Sequence, residues 1–82
     1  MRGIKLSHGV AFVEQNGVTV RINADGTCEL SPIMLMSLEW DLRCEPPHTW
    51  DYITESDIEA LGTDVRQQIE QIVARTQRIL GL

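Results

Sequence analysis

The sequence predicts an α+β fold: an N-terminal antiparallel β-meander of three to four strands, covered by a C-terminal amphipathic helix. Three observations predict it. First, β-rich residues 10–15 and 18–23 flank Asn16-Gly17, a dipeptide suited to a type I′ turn, whose two central residues need φ > 0. Second, Ile58, Leu61, Val65, Ile69, Ile72, Val73, Thr76, Ile79 and Leu80 recur at three- and four-residue steps, the mark of one helical face. Third, 82 residues with 43% hydrophobic content suffice for one domain and not two, so the sheet's apolar face and the helical stripe are each other's natural cover.

A two-residue Asn16-Gly17 loop pairs Gln15 with Val18, Val13 with Val20 and Ala11 with Ile22 on a mostly apolar face. Glu14 with Thr19 and Phe12 with Arg21 fall on the other, mostly polar face. Turn chemistry and face pattern agree, which is what sets register. Residues 3–7 alternate and predict a first strand. A two-residue His8-Gly9 loop then pairs Leu6 with Ala11 and Ile4 with Val13. After Ile22, a three-residue Ala24-Asp25-Gly26 loop pairs Ile22 with Cys28 and Val20 with Leu30, and sets Arg21 across from Glu29. The meander so defined covers residues 3–31.

Residues 31–45 give two signals. Ser31-Pro32 resembles a helix start. Met34, Met36, Leu38, Trp40, Leu42 and Cys44, however, alternate with Ser37, Glu39, Asp41 and Arg43. Strict alternation favours a half-buried strand over 35–44 rather than a helix, extending the sheet region to 3–45, with Met34 and Met36 filling the core. Two prolines make 45–50 an extended linker, and Trp50–Ile53 is either a short strand or an ordered loop. The final helix is expected over 57–80, with Ser56 and Glu59 as its capping box. Gly62-Thr63-Asp64 leaves open a second reading, a short turn and then a helix over 64–80.

The net charge is −5, and it is unevenly spread. Residues 39–64 hold eight acids against Arg43 alone, a net of −7, whereas residues 65–82 hold three arginines against Glu70, a net of +2. The central acid excess disfavours direct nucleic-acid binding, which needs a basic footprint, and suits a basic partner surface. A plain solvated acidic surface is the alternative. No apolar run approaches the roughly 18–20 residues of a membrane span. The N-terminal residues lack the apolar core of a secretion signal, so a cytoplasmic protein with reduced Cys28 and Cys44 is expected.

No phosphate-binding glycine loop, nucleophile elbow or metal-binding histidine pair is present. His8, His48, Cys28 and Cys44 are ligand types, but no two stand at a usual zinc spacing. No catalytic residue, metal or cofactor is therefore expected. Trp40, Trp50 and Tyr52 are three of the chain's four aromatics and all lie among the acids. Tryptophan and tyrosine are enriched at binding hot spots. The expected partner-binding residues are Glu39, Asp41, Glu45, Trp50, Asp51, Tyr52 and Glu55, with Trp40 more naturally placed in the core.

In small size, local acid excess and lack of catalytic motifs, the chain resembles in kind the small inhibitors that bacteriophages encode, anti-CRISPR proteins among them. No motif or residue carries that resemblance. The expected function is non-enzymatic binding to a protein with a basic surface, such as a nucleic-acid-handling complex. Two alternatives stand beside it: a self-assembling subunit, using edge strands and spare helical stripe, and a nucleic-acid regulator using Arg66, Arg75 and Arg78.

Overall fold

The computed structural model describes residues 1–44 and 49–81. The elements are β1 (Arg2–Leu6), β2 (Ala11–Gln15), β3 (Val18–Ile22), β4 (Cys28–Leu30), α1 (Leu35–Cys44), β5 (Trp50–Tyr52), α2 (Glu55–Ala60) and α3 (Thr63–Leu80). The strands form one antiparallel sheet in the order β4-β3-β2-β1-β5. The α+β class, the meander and the covering C-terminal helix are as the sequence predicts.

The central hairpin has the expected register, with Val13 opposite Val20 and Ala11 opposite Ile22. Asn16 and Gly17 have φ of 53° and 82°, as a type I′ turn requires. The β3–β4 hairpin likewise pairs Ile22 with Cys28, Arg21 with Glu29 and Val20 with Leu30. Asn23 N–H donates to Thr27 O at 2.8 Å, closing the three-residue loop.

The β1 register differs by one residue from expectation. Leu6 N–H donates to Val10 O (2.8 Å) around Ser7-His8-Gly9, with Gly9 at φ 99°. This is a three-residue loop whose last residue must be left-handed, not the two-residue loop read from His8-Gly9. Ile4 consequently opposes Phe12, and Gly3 opposes Val13. A one-residue slip exchanges faces, so Ile4 and Leu6 join Val10 and Phe12 on the side expected to be polar.

That second apolar face explains the other main departure. Residues 35–44 are helix α1, not a strand. Leu35 and Leu42 are buried and Leu38 partly so, packed with Ile4, Val10, Phe12, Leu6 and Trp50. The leucines stand at helical steps of three and four; the alternation that suggested a strand counted methionines and a tryptophan that face solvent. Met34 and Met36 are exposed and do not fill the core. Nor does Ser31 cap the helix: its hydroxyl accepts from Ile33 N–H at 3.1 Å in a local turn. The cap comes from the sheet, where the hydroxyl of buried Thr19 accepts from Leu35 N–H at 3.0 Å.

Helix α3 covers the opposite face, where Val13, Val18, Val20 and Ile22 pack with Ile69 and Val73. The sheet is thus the middle of three layers. Both Trp50–Tyr52 and Ile53 dock on β1, the first as strand β5 and the second through Ile53 N–H to Gly3 O at 2.9 Å. Of the two readings of the C-terminal stripe, the interrupted one holds: the chain breaks at Gly62, whose φ is 84°, and α3 starts at Thr63, although a short helix and not a turn precedes it. That short helix, α2, is capped by Thr54 with Asp57 rather than by Ser56 with Glu59. The linker prolines, with Glu45 and His48, lie outside the described residues.

Candidate functional site

Because Leu35, Leu38 and Leu42 take the sheet-facing positions of α1, Met36 and Trp40 are turned to solvent. They stand four residues apart, hence side by side, and are 64% and 68% exposed. With Arg2, Glu39 and Arg43 they line a shallow groove of about 270 Å³. Glu39 and Arg43 pair at 2.7 Å along the helix. Tyr52 on β5 joins them: its hydroxyl donates to Glu39 Oε1 (2.5 Å) and accepts from Arg43 Nη2 (2.5 Å). Trp50 lies edge-on to Tyr52, with ring centroids 5.3 Å apart, and its half-buried indole packs against the α1 core. Trp50, Tyr52, Glu39 and Arg43 therefore brace α1 in place, and Trp40 with Met36 is what they present.

The expected binding residues fall into two groups. Glu39, Trp50 and Tyr52 meet in the network above, and Asp41 is exposed on the same helix. Asp51 projects to the other side of the sheet, as strand alternation demands, and opposes Lys5. Its carboxylate accepts the Tyr52 N–H at 2.8 Å. Glu55 is exposed at the start of α2, followed one turn later by exposed Glu59. Nearby, Asp57 accepts from Thr54 N–H (2.9 Å) and Lys5 Nζ (3.0 Å). These partners, the Thr54 N–H first, hold its carboxyl down to about 2. Glu45 lies outside the described residues. Sequence reasoning missed Met36, Arg2 and the solvent-facing role of Trp40. The 36/40 spacing would have revealed the pair had 35–44 been read at helical period.

Both sheet edges are partly closed by side chains. On β4, Thr27 and Ser31 bond toward β3, so Cys28 N–H points outward, where it meets Gln68 Oε1 at 3.1 Å. The Gln68 Nε2 returns to Gly26 O at 3.3 Å. On β5, Asp51 does the same for Tyr52. Each edge strand has three residues, and short, capped edges resist strand addition.

Among the described residues, no group of three or more His, Cys, Asp or Glu is placed to hold a metal ion, and no helix is long and apolar enough to cross a membrane. Cys28 and Cys44 are free thiols, and partial burial pushes the Cys28 thiol up from its ordinary pKa. No known family model, curated protein or solved structure matches the chain.

Proposed function

We propose that this is a non-enzymatic protein-binding protein that docks through the outer face of α1. Trp40 and Met36 enter an apolar recess of the partner, and the acids of β5 and α2, across the sheet from that contact, draw in a basic partner through their field rather than by touching it. The single observation that carries this reading is the exposure of Trp40, 68%, beside a Met36 at 64%. A tryptophan and a methionine held together on a braced helix face make an apolar patch that costs free energy while it faces water. Tryptophan is also the residue most enriched among binding hot spots.

The acids support a basic partner. Glu55 and Glu59 are like charges at i,i+4, an arrangement that disfavours a helix by a few tenths of a kcal/mol. Among the described residues neither joins an ion pair; the neighbouring Lys5 is taken by Asp57. Uncompensated acid raises association rates with a cationic surface. Proteins that hold nucleic acid present such surfaces, so competition with nucleic acid for the partner is the specific form of this reading.

The test is quantitative capture from a lysate of the source organism, comparing the wild-type chain with Trp40→Ala and with Glu55→Lys/Glu59→Lys. A protein enriched on the wild type, lost on Trp40→Ala and weakened by the charge reversal is the expected result. The same proteins captured equally by all three would overturn the proposal.

A further inference from the structure

Apolar side chains are exposed between β4 and the end of α3, among them Leu30, Ile79 and Leu80, as well as on the outer face of α1. What sets the α1 groove apart is its pair of guanidinium groups. Beside Trp40 and Met36 it is lined by Arg2, at the start of β1, and Arg43, in the last turn of α1. Each belongs to an ion pair, Arg2 with Glu14 at 3.2 Å and Arg43 with Glu39 at 2.7 Å. In both pairs the cation is the outer member: the arginine side chains are 64% and 57% exposed, their carboxylate partners 22% and 26%. Neither guanidinium is saturated. Arg2 gives its Nε to Glu14, and Arg43 gives its Nη2 to Glu39 and Tyr52. A guanidinium carries five N–H donors, and among the described residues nothing takes the remaining ones.

We propose, building on α1 as the docking face, that this groove is a carboxylate-binding subsite. The partner sets an aspartate or glutamate, beside an apolar side chain, between Arg2 and Arg43 at the edge of the Trp40 contact. Charge at the point of contact selects the occupant. Spare guanidinium donors standing over covered carboxylates offer hydrogen bonds to an anion and none to an ammonium group. A carboxylate bound there is sheltered by Trp40 and Met36, where its charge-assisted bonds are stronger than in open water. Arginine and tryptophan are both concentrated in binding hot spots. The rest of the molecule decides which anion is admitted. With a net charge of −5, and with Asp41 exposed on the same helix, the chain repels a polyanion such as nucleic acid. A single carboxylate carried on an otherwise cationic protein meets no such barrier. The long-range field and the local contact therefore have opposite signs: the acids of β5 and α2 draw the partner in, and the two arginines set its register.

Selection of short disulfide-closed random peptides, displayed as a library against the immobilised full chain, tests this, with titration of the synthetic peptides against the soluble chain. The expected result is a set of peptides that Trp40→Ala no longer binds and that share an aspartate or glutamate next to an apolar residue. Changing that acid to its amide should weaken binding about tenfold, and so should Arg2→Gln on the protein. Arg2 is exposed and lies outside the Tyr52–Glu39–Arg43 brace, so its substitution leaves α1 in place. Arg2→Glu should reject the acidic peptide and accept one with lysine in place of the acid. Trp40-dependent peptides that are neutral or basic, or acidic ones indifferent to Arg2→Gln, would overturn the proposal while leaving α1 as the docking face. If no peptide depends on Trp40, both fall. Binding of a single-stranded oligothymidylate that is lost on Trp40→Ala and on Arg2→Gln would assign the groove to nucleic acid instead.

Discussion

Thr19 links two layers of the molecule. It is buried at 5% exposure, and its hydroxyl takes the N–H that would otherwise be unpaired at the start of α1. Thr19→Val keeps the shape and removes the acceptor, leaving a buried donor unsatisfied. The expected cost is about 1–2 kcal/mol in chemical denaturation, with faster amide exchange at Leu35. Asp57 makes a prediction in pH. Its carboxyl, lowered from 3.8 to about 2 in the fold, contributes stability that is complete above the unfolded value and is lost as pH falls through about 2. Denaturation midpoints measured from neutral pH down to pH 2 should therefore decline less steeply at the acid end for Asp57→Asn than for the wild type. An unchanged slope would show that the Thr54 and Lys5 contacts do not persist in solution. Neither residue's role was legible in the sequence: Thr19 looked like an outward strand residue, and Ser56 offered a competing capping box.

At the level of elements, legibility followed redundancy. The β2–β3 hairpin was readable because turn type and face pattern gave the same register independently, and at β3–β4 the face pattern selected the three-residue loop. The β1–β2 turn lacked that redundancy. Val10 and Phe12 supply one apolar face of β2 while Ala11 and Val13 supply the other, so Ile4 had an apolar partner in either register. Gly3 is the residue that settles it physically: a Cβ there would stand 2.3 Å from Phe12 O and 2.9 Å from Ile53 Cδ1. Gly3→Ala should therefore cost about 1–3 kcal/mol through forced displacement of the β1–β2 pair, measured as a fall in denaturation midpoint. Helix α1 was misread for a related reason. Its apolar residues satisfy both periods, and the decisive fact was a second sheet face, made by Ile4, Val10 and Phe12, that required a cover.

At the scale of the whole molecule, a three-layer arrangement of 82 residues buries both sheet faces and leaves apolar groups exposed in two places with different surroundings. The candidate site was half legible. The aromatic and acidic residues were found, but the sheet divides them: Trp50, Tyr52 and Glu39 brace α1, while Asp51 and Glu55 lie toward α2. Sequence order had merged them because they are consecutive along the chain, whereas strand alternation sends Asp51 and Tyr52 to opposite faces. The same division makes the two contributions separable. Charge reversal at Glu55 and Glu59 should slow association and flatten its dependence on salt, with dissociation little changed. Truncation of Trp40 should act on dissociation instead.

The claim that the outer face of α1 is a docking surface is tested most directly by titrating a captured partner against the wild-type chain and Trp40→Ala, with thermal melts of both chains run alongside. The account predicts at least a thirtyfold loss of affinity, about 2 kcal/mol or more, with an unchanged melting temperature because Trp40 is 68% exposed. Equal affinity for the two chains would contradict it.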